Sequence, residues 1–409
     1  MPPSSPNPQF LHRDDPLTLE FDTEIRERII LPDGRAGLIL NRTYFYPTGG
    51  GQAHDTGTLG AARVVDVLKS DDGAAVIHVV EGEPGEGTLH AVIDAERRIR
   101  HMQHHTAQHL LSATFWRTLH LETLSSAIHG WTPSHIDLPD VTLSAADLRR
   151  VEDEANRVIF ENRRVRTFTV PDAQAAELSL RRPPKVRGDI RIVEIEGTDR
   201  VACGGTHCPQ TGMIGTLKIL RTERINHKLR VHFVAGWQAL ETLRGFQEIA
   251  QSLAGMFSAA PAEVTELVEK QRDQLQTAER ELRRLRAAQS ACEARGLAES
   301  ARRVGNLRLI AHLYESRPAG ELRALADALK EQPDLVGLLA TFDGQKLVLI
   351  ATCGTETGLS ARELLNERLA RLGGRGGGDD QIAQGGGRAT PEQAAALFDG
   401  VEAALEQRK

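Results

Sequence analysis

DAERRIRHMQHHTAQHLLSATFWRTL, residues Asp94–Leu119, reads as a helix whose Leu110, Leu111, Ala113 and Phe115 supply an apolar surface. It stands where the pattern changes. Before it, from about residue 17 to 94, short apolar runs such as Ala36–Leu40, Ala62–Leu68 and Ala75–Val80 are broken by Gly, Pro and Asp. Their length and β-branched content indicate strands separated by turns such as Pro32-Asp-Gly34, and the segment is expected to form a small β-barrel. After it, Ser144–Arg163 reads as a second helix, with Ser144 capping its first N–H groups and Asp147 adding negative charge to the first turn. Val201–Val234 mixes a Gly-rich loop with strands. Residues 95–242 are therefore expected to be an α+β domain packed on the 17–94 barrel.

Further along, Val268, Gln271, Leu275, Ala278, Leu282, Leu285, Gln289 and Cys292 alternate spacings of three and four, with charged residues between them. Residues 243–302 are expected to hold a long amphipathic helix. Pro261 near its start leaves a helical hairpin as the alternative to a coiled coil between chains. From 303 to 409, apolar runs at 307–310, 335–339 and 346–351 read as strands and 319–330, 359–370 and 391–407 as helices, which makes a separate small α/β domain. Residues 1–16, rich in Pro, Ser and Asn, are expected to be a disordered tail. The fold class expected for the whole chain is α+β.

With 409 residues the chain is too long for one core, and 40% hydrophobic with 26% charged residues is an ordinary globular composition. Four cysteines without a Cys-x-x-Cys spacing do not make a disulfide scaffold and suit a reducing compartment. No apolar run approaches a membrane span, and the N-terminus has no secretory pattern, so a cytoplasmic location is expected. A net charge of −6 argues weakly against nucleic acid, but two basic runs offer local positive charge. They are Arg181, Arg182, Lys185, Arg187 and Arg191, and Lys218, Arg221, Arg224, Lys228 and Arg230.

The chemistry-bearing pattern is His105-Thr-Ala-Gln-His109 together with Cys203-Gly-Gly-Thr-His207. Helical residues four apart share a face, and a Gly-Gly turn lets Cys203 and His207 aim inward together. Such a nitrogen-rich, borderline-soft set suits Zn²⁺. Spacing alone does not choose among the histidines, because His101 and His105 are also four apart and His104 adjoins them. Tyr46-Pro-Thr-Gly-Gly-Gly-Gln52 exposes backbone N–H groups, either to a ligand or merely in a tight turn. Gly373–Gly387 has eight glycines in 15 positions, flanked by regular patterns, and is expected to be an ordered backbone-binding loop.

The order Gly-Gly-Gly-Gln, His-x-x-x-His, Cys-Gly-Gly-Thr-His and then Gly-Gly-Arg-Gly-Gly-Gly…Ala-Gln-Gly-Gly-Gly resembles the editing region of alanyl-tRNA synthetases from about residue 17 onward. With only a short polar tail ahead of it, the chain looks like the AlaX-type editing proteins of the long class. The resemblance implies zinc at His105, His109, Cys203 and His207, and settles the register against His101. It implies roles at the site for Thr48 and Gln52, which belong to the glycine motif, with Thr48 the candidate for contacting a serine hydroxyl. Ser125, Ser126, His129 and Asp137 lie where such domains line the pocket, without assigned roles.

The implied reaction is hydrolysis of the ester joining serine or glycine to alanine tRNA. tRNA is the implied partner, a homodimer through the C-terminal region a further one, and no membrane is involved. The competing reading is a non-catalytic tRNA-binding protein with a structural zinc. A phosphoesterase is disfavoured by the missing Asp-His-His motif.

Overall fold

The computed structural model describes residues 7–184 and 187–407. The early strands close a barrel: β1 (Glu20–Ile30), β2 (Ala36–Leu40), β3 (Gly57–Leu59), β4 (Ala62–Lys69), β5 (Val76–Glu81) and β6 (Thr88–Ile93). They pair in the order β1-β2-β5-β4-β3-β6, and β1 returns to β6. Register shifts between Ile25 and Glu27 and between Val64 and Asp66 bend the strands enough for closure. Phe21, Leu38, Leu40, Phe45, Val67 and Ile93 fill the interior. Of the expected tail, residues 1–6 lie outside the described residues. Residues 7–16 are not loose: Phe10 is buried with that core, and Gln9 Nε2 donates to Leu40 O at 2.7 Å.

Helix α1 (Ala95–Leu119) follows, with the Asp94 side chain accepting from Arg97 N. It is buried almost continuously from Arg98 to Phe115, because layers cover it on more than one side. Then come β7 (Ser125–Ala127), β8 (Ser134–Pro139), α2 (Ala145–Phe160), β9 (Val165–Pro171), α3 (Asp172–Glu177), β10 (Asp189–Ile195), β11 (Asp199–Ala202), β12 (Leu217–Ile225) and β13 (Lys228–Ala235). Ser144 and Asp147 form the capping box of α2. The strands make a sheet in the order β11-β10-β9 and another in the order β12-β13-β8-β7. Leu110, Leu111 and Phe115 of α1 pack with Val151, Ala155 and Ile159 of α2 and with Ile136, Val231 and Phe233 of the second sheet. Helix α4 (Gly236–Phe257) ends this unit, which spans Met1–Met256.

The second unit, Phe257–Lys409, contains α5 (Val264–Glu299), β14 (Arg302–Val304), β15 (Leu307–Glu315), α6 (Ala319–Leu329), β16 (Leu335–Phe342), β17 (Lys346–Cys353), α7 (Ala361–Ala370), β18 (Arg375–Gly378), β19 (Ile382–Arg388), α8 (Pro391–Ala395) and α9 (Val401–Glu406). Its sheet order is β14-β15-β16-β17-β19-β18, with β15 and β16 parallel across α6. The end of α5 and α6 cover one face, and α7 to α9 cover the other. β16 is accordingly buried along nearly its whole length. The expected three-four repeat lies on one long helix, α5, and a separate helix, α4, precedes it, the break falling where Ser258 takes φ 51° and Pro261 opens a 3₁₀ turn. One sequence expectation changes here. The glycine-rich stretch is no loop but the hairpin β18–β19: a Cβ at Gly376 or Gly385 would overlap Leu365 or Leu369 of α7, so the glycines let helix and hairpin approach closely. Among the described residues, no helix is long and apolar enough to cross a membrane.

Candidate metal centre

Two elements bring the expected ligands together. His105 and His109 sit one turn apart on α1, whose first turn is tied to the glycine motif by Arg98. Its guanidinium meets Asp55 at 2.5 Å with both side chains wholly buried, and Asp55 Oδ2 accepts from Tyr46 N at 2.6 Å. Cys203–His207 follows β11. Arg191 of β10 shapes that turn: its Nη1 donates to the carbonyls of Cys203 and Gly205, each at 2.9 Å. Gly205 passes so close that a Cβ there would overlap the His105 ring.

His105, His109, Cys203 and His207 each offer one ligand atom, and these atoms all lie within 4.8 Å of one another. Cys203 Sγ is 3.4 Å from Nε2 of His105 and of His207. Ring centroids of the three histidines are 4.3–5.1 Å apart.

The surrounding side chains decide which nitrogen faces the cluster. Gln52 Oε1 lies 2.7 Å from His105 Nδ1; a carbonyl oxygen accepts, so Nδ1 carries the proton and Nε2 keeps its lone pair toward Cys203. Thr106 donates its hydroxyl proton to Met102 O and so accepts from His207 Nδ1 at 3.4 Å, which frees Nε2 likewise. Buried His109 Nδ1 has no hydrogen bond; Asp199 Oδ2, paired with Arg181, stands 3.9 Å away.

Burial, aided by neighbouring cations, holds the His105 and His207 pKa values well below the ordinary histidine value and pushes His109 down to about 3. Burial raises the Cys203 thiol, partly opposed by the Gly205 N–H and Arg191. Three imidazoles kept neutral and a half-buried sulfur in one cluster form a set able to hold a metal ion.

Of the other expected residues, Gln52 supports the cluster through His105. Gln52 is buried with its amide spent on His105 and on Thr206 Oγ1, the latter at 2.8 Å. Thr48 is exposed: its hydroxyl accepts from His54 N and bonds His54 Nδ1, both at 3.1 Å, within the turn. His104 turns to Ser134 Oγ, and His101 to the Trp131 ring. Ser125 and Arg230 hold Asp137, and His129 N donates to Ser134 Oγ. Ser126 pairs with Ile136 across β7 and β8.

The basic runs are largely spent internally. Lys218, Arg221, Arg224 and Arg230 pair with Glu152, Glu223, Asp140 and Asp137. Arg181 and Arg182 pair with Asp199 and Glu122, and Lys185 lies outside the described residues. Sequence reading missed Arg13 and Lys69 and gave Tyr46 only as the start of the glycine motif. These three, with Arg191 and Cys203, line a cavity of about 440 Å³ bordering the cluster.

The family of the Threonyl and Alanyl tRNA synthetase second additional domain matches residues 190–230, which include Cys203 and His207, and the DHHA1 domain matches residues 306–407. Alanine–tRNA ligase of Thermococcus kodakarensis is 34% identical over 93% of this chain and 42% of its own length. The Methanosarcina barkeri enzyme is 30% identical over 97% and 44%. This chain is similar to part of alanyl-tRNA synthetase. It spans less than half the length of those ligases. The C-Ala domain of Aquifex aeolicus alanyl-tRNA synthetase is also similar, at 29% identity over 26% of this chain and 97% of that domain, with a TM-score of 0.25. The synthetase-domain match covers one half of the four-residue cluster, and α1 supplies the other.

Proposed function

We propose that this chain is a zinc-dependent aminoacyl-tRNA hydrolase that acts in trans, clearing serine, and glycine as a second substrate, from wrongly charged alanine tRNA. The observation that carries the reading is the buried His105–His109–Cys203–His207 cluster at the edge of a cation-lined cavity. A zinc ion held there supplies Lewis acidity for an ester carbonyl or for water. The chain's own residues do the rest. Gln52 and Thr106 hold two imidazoles in the tautomer that offers Nε2. Arg191 fixes the loop carrying Cys203, and burial of the whole set keeps the histidines unprotonated at neutral pH. In this reading the DHHA1-matching unit contributes tRNA affinity.

One observation favours the second reading, a tRNA-binding protein with a structural zinc: four protein donors make a closed coordination set. The deciding experiment is deacylation of seryl-, glycyl- and alanyl-tRNA for alanine by the purified 409-residue chain. The hydrolase reading expects serine and glycine to be released while alanine is spared. Release no faster than without protein, with one zinc bound per chain, overturns it in favour of the structural site.

A further inference from the structure

Four cations, Arg13, Lys69, Arg182 and Arg191, line the cavity beside Cys203, against one carboxylate, Asp189. Arg182 is held by Glu122 at 3.0 Å. Among the described residues, Arg13, Lys69 and Arg191 make no ion pair, although the Asp14 charge acts on both arginines. Arg191 is nearly buried and bonds only neutral oxygens, the carbonyls of Cys203, Gly205 and Arg13. Arg13 lies over the Phe10 ring at 4.2 Å, and its buried Nε has no hydrogen-bond partner. Lys69 Nζ stands against Gly49, where an added Cβ would come within 3.4 Å of it. Burial lowers the pKa of all three, and Arg13 adds to the depression at Lys69.

Like charges gathered around a partly dry cavity repel one another and forfeit hydration, and an entering anion reverses both penalties. The cavity's remaining wall includes the bare backbone of Gly49, Gly50, Gly204 and Gly205, which leaves room for a bulky group to approach. Cys203 belongs both to this wall and to the metal-ligating cluster.

We propose that the cavity is a phosphodiester subsite. It holds the phosphate on the 5′ side of the RNA's terminal nucleoside while the ester on that nucleoside's ribose lies toward Cys203. Arg13 supplies a planar fork for the phosphate oxygens and Lys69 a point charge. Arg191 acts as a positioning residue, since its Nη1 is committed to the carbonyls of Cys203 and Gly205 and its Nη2 to that of Arg13. The assignment rests on the hydrolase reading for the identity of the ester, but the anion site has its own test.

Calorimetric binding of AMP and of adenosine to the full chain, at fixed ionic strength, isolates the phosphate. AMP is expected to bind about tenfold or more tightly, the scale of one charge-assisted contact. Arg13→Gln and Lys69→Gln should each remove most of that difference while adenosine affinity, bound metal and melting temperature stay unchanged. A second arm compares hydrolysis of 2′(3′)-O-seryl-adenosine with its 5′-phosphate: the phosphate should lower KM in the native chain and lose that advantage in both variants. Equal affinity for AMP and adenosine, or no AMP binding at millimolar concentration, overturns the subsite whatever the hydrolysis shows. A phosphate-dependent affinity with no ester cleaved supports the subsite and overturns the hydrolase reading instead.

Discussion

Gln52 is 1% exposed, and both ends of its amide are engaged, Oε1 at His105 Nδ1 and Nε2 at Thr206. Gln52→Ala removes the acceptor that fixes His105, and loss of such a partner typically lowers metal affinity about 10- to 100-fold. Gln52→Glu keeps an acceptor there and should stay much closer to the native affinity. Competition with a chromogenic chelator measures this, with circular dichroism to verify folding; native affinity in Gln52→Ala would sink the positioning role. The four side chains that the fold gathers into a candidate metal centre were legible from the His-x-x-x-His and Cys-x-x-x-His spacing once the resemblance chose the register. Gln52 was legible as part of the site, but not its partner, because the turn at Gly50 and Gly51, with φ 57° and 84°, sends the side chain inward across 53 residues of sequence to His105. Thr106 and Thr206 stood inside the motifs as spacers, and Arg191 read as surface charge. Their roles come from contacts that no local pattern encodes.

At the level of elements, the Arg98–Asp55 pair joins α1 to the barrel loop that carries Gln52. Arg98 also donates to Pro16 O and Tyr44 O, each at 2.6 Å. Asp55→Ala strands a buried guanidinium, and breaking such a pair from one side costs about 3–5 kcal/mol. Urea unfolding followed by tryptophan fluorescence should show that loss in the first unit. A change below about 1 kcal/mol would mean that the pair is solvated and does not anchor the loop. The α1 and α2 helices were legible because capping residues and apolar spacing agree in both. β1 was harder: only four of its eleven residues, Phe21, Ile25, Ile29 and Ile30, are apolar, and its alternation is masked by charge. The β18–β19 hairpin defied propensity altogether. Glycines are poor strand formers, yet the close approach of Leu365 and Leu369 decides the conformation. On α5 the three-four repeat was legible as a helix, but Val268, Leu275 and Leu282 remain about half exposed, so the periodicity alone did not reveal what the stripe packs against.

Across the whole molecule, histidine is distributed very unevenly. Of 15 histidines, His312 alone lies in the second unit. Several in the first unit are buried and outside the candidate metal centre. Burial pushes His78 down to about 4, His101 to about 4 and His104 to about 3. His78 is locked between Thr43 Oγ1 at 2.8 Å and Leu38 O at 3.1 Å inside the barrel. An unfolded chain takes up these protons near pH 6.5, whereas the folded unit resists until pH 3–4. The unfolded state therefore binds more protons in that window, and stability falls as pH drops from about 6.5 toward the folded values. For His78 alone the full difference is on the order of 3 kcal/mol. The carboxylates held below their ordinary values, such as Glu293 and Asp334 of the second unit, act only lower, once pH falls below their unfolded values. Between pH 7 and 5 the two units should separate: the urea midpoint of the first falls steeply while that of the second hardly moves. Hydrogen exchange read peptide by peptide along the full chain distinguishes them, since each unit reports its own opening. His78→Gln, which deletes the titrating group, should flatten part of the first unit's slope. Equal losses in both units over that range would show that the buried histidines do not govern the acid response.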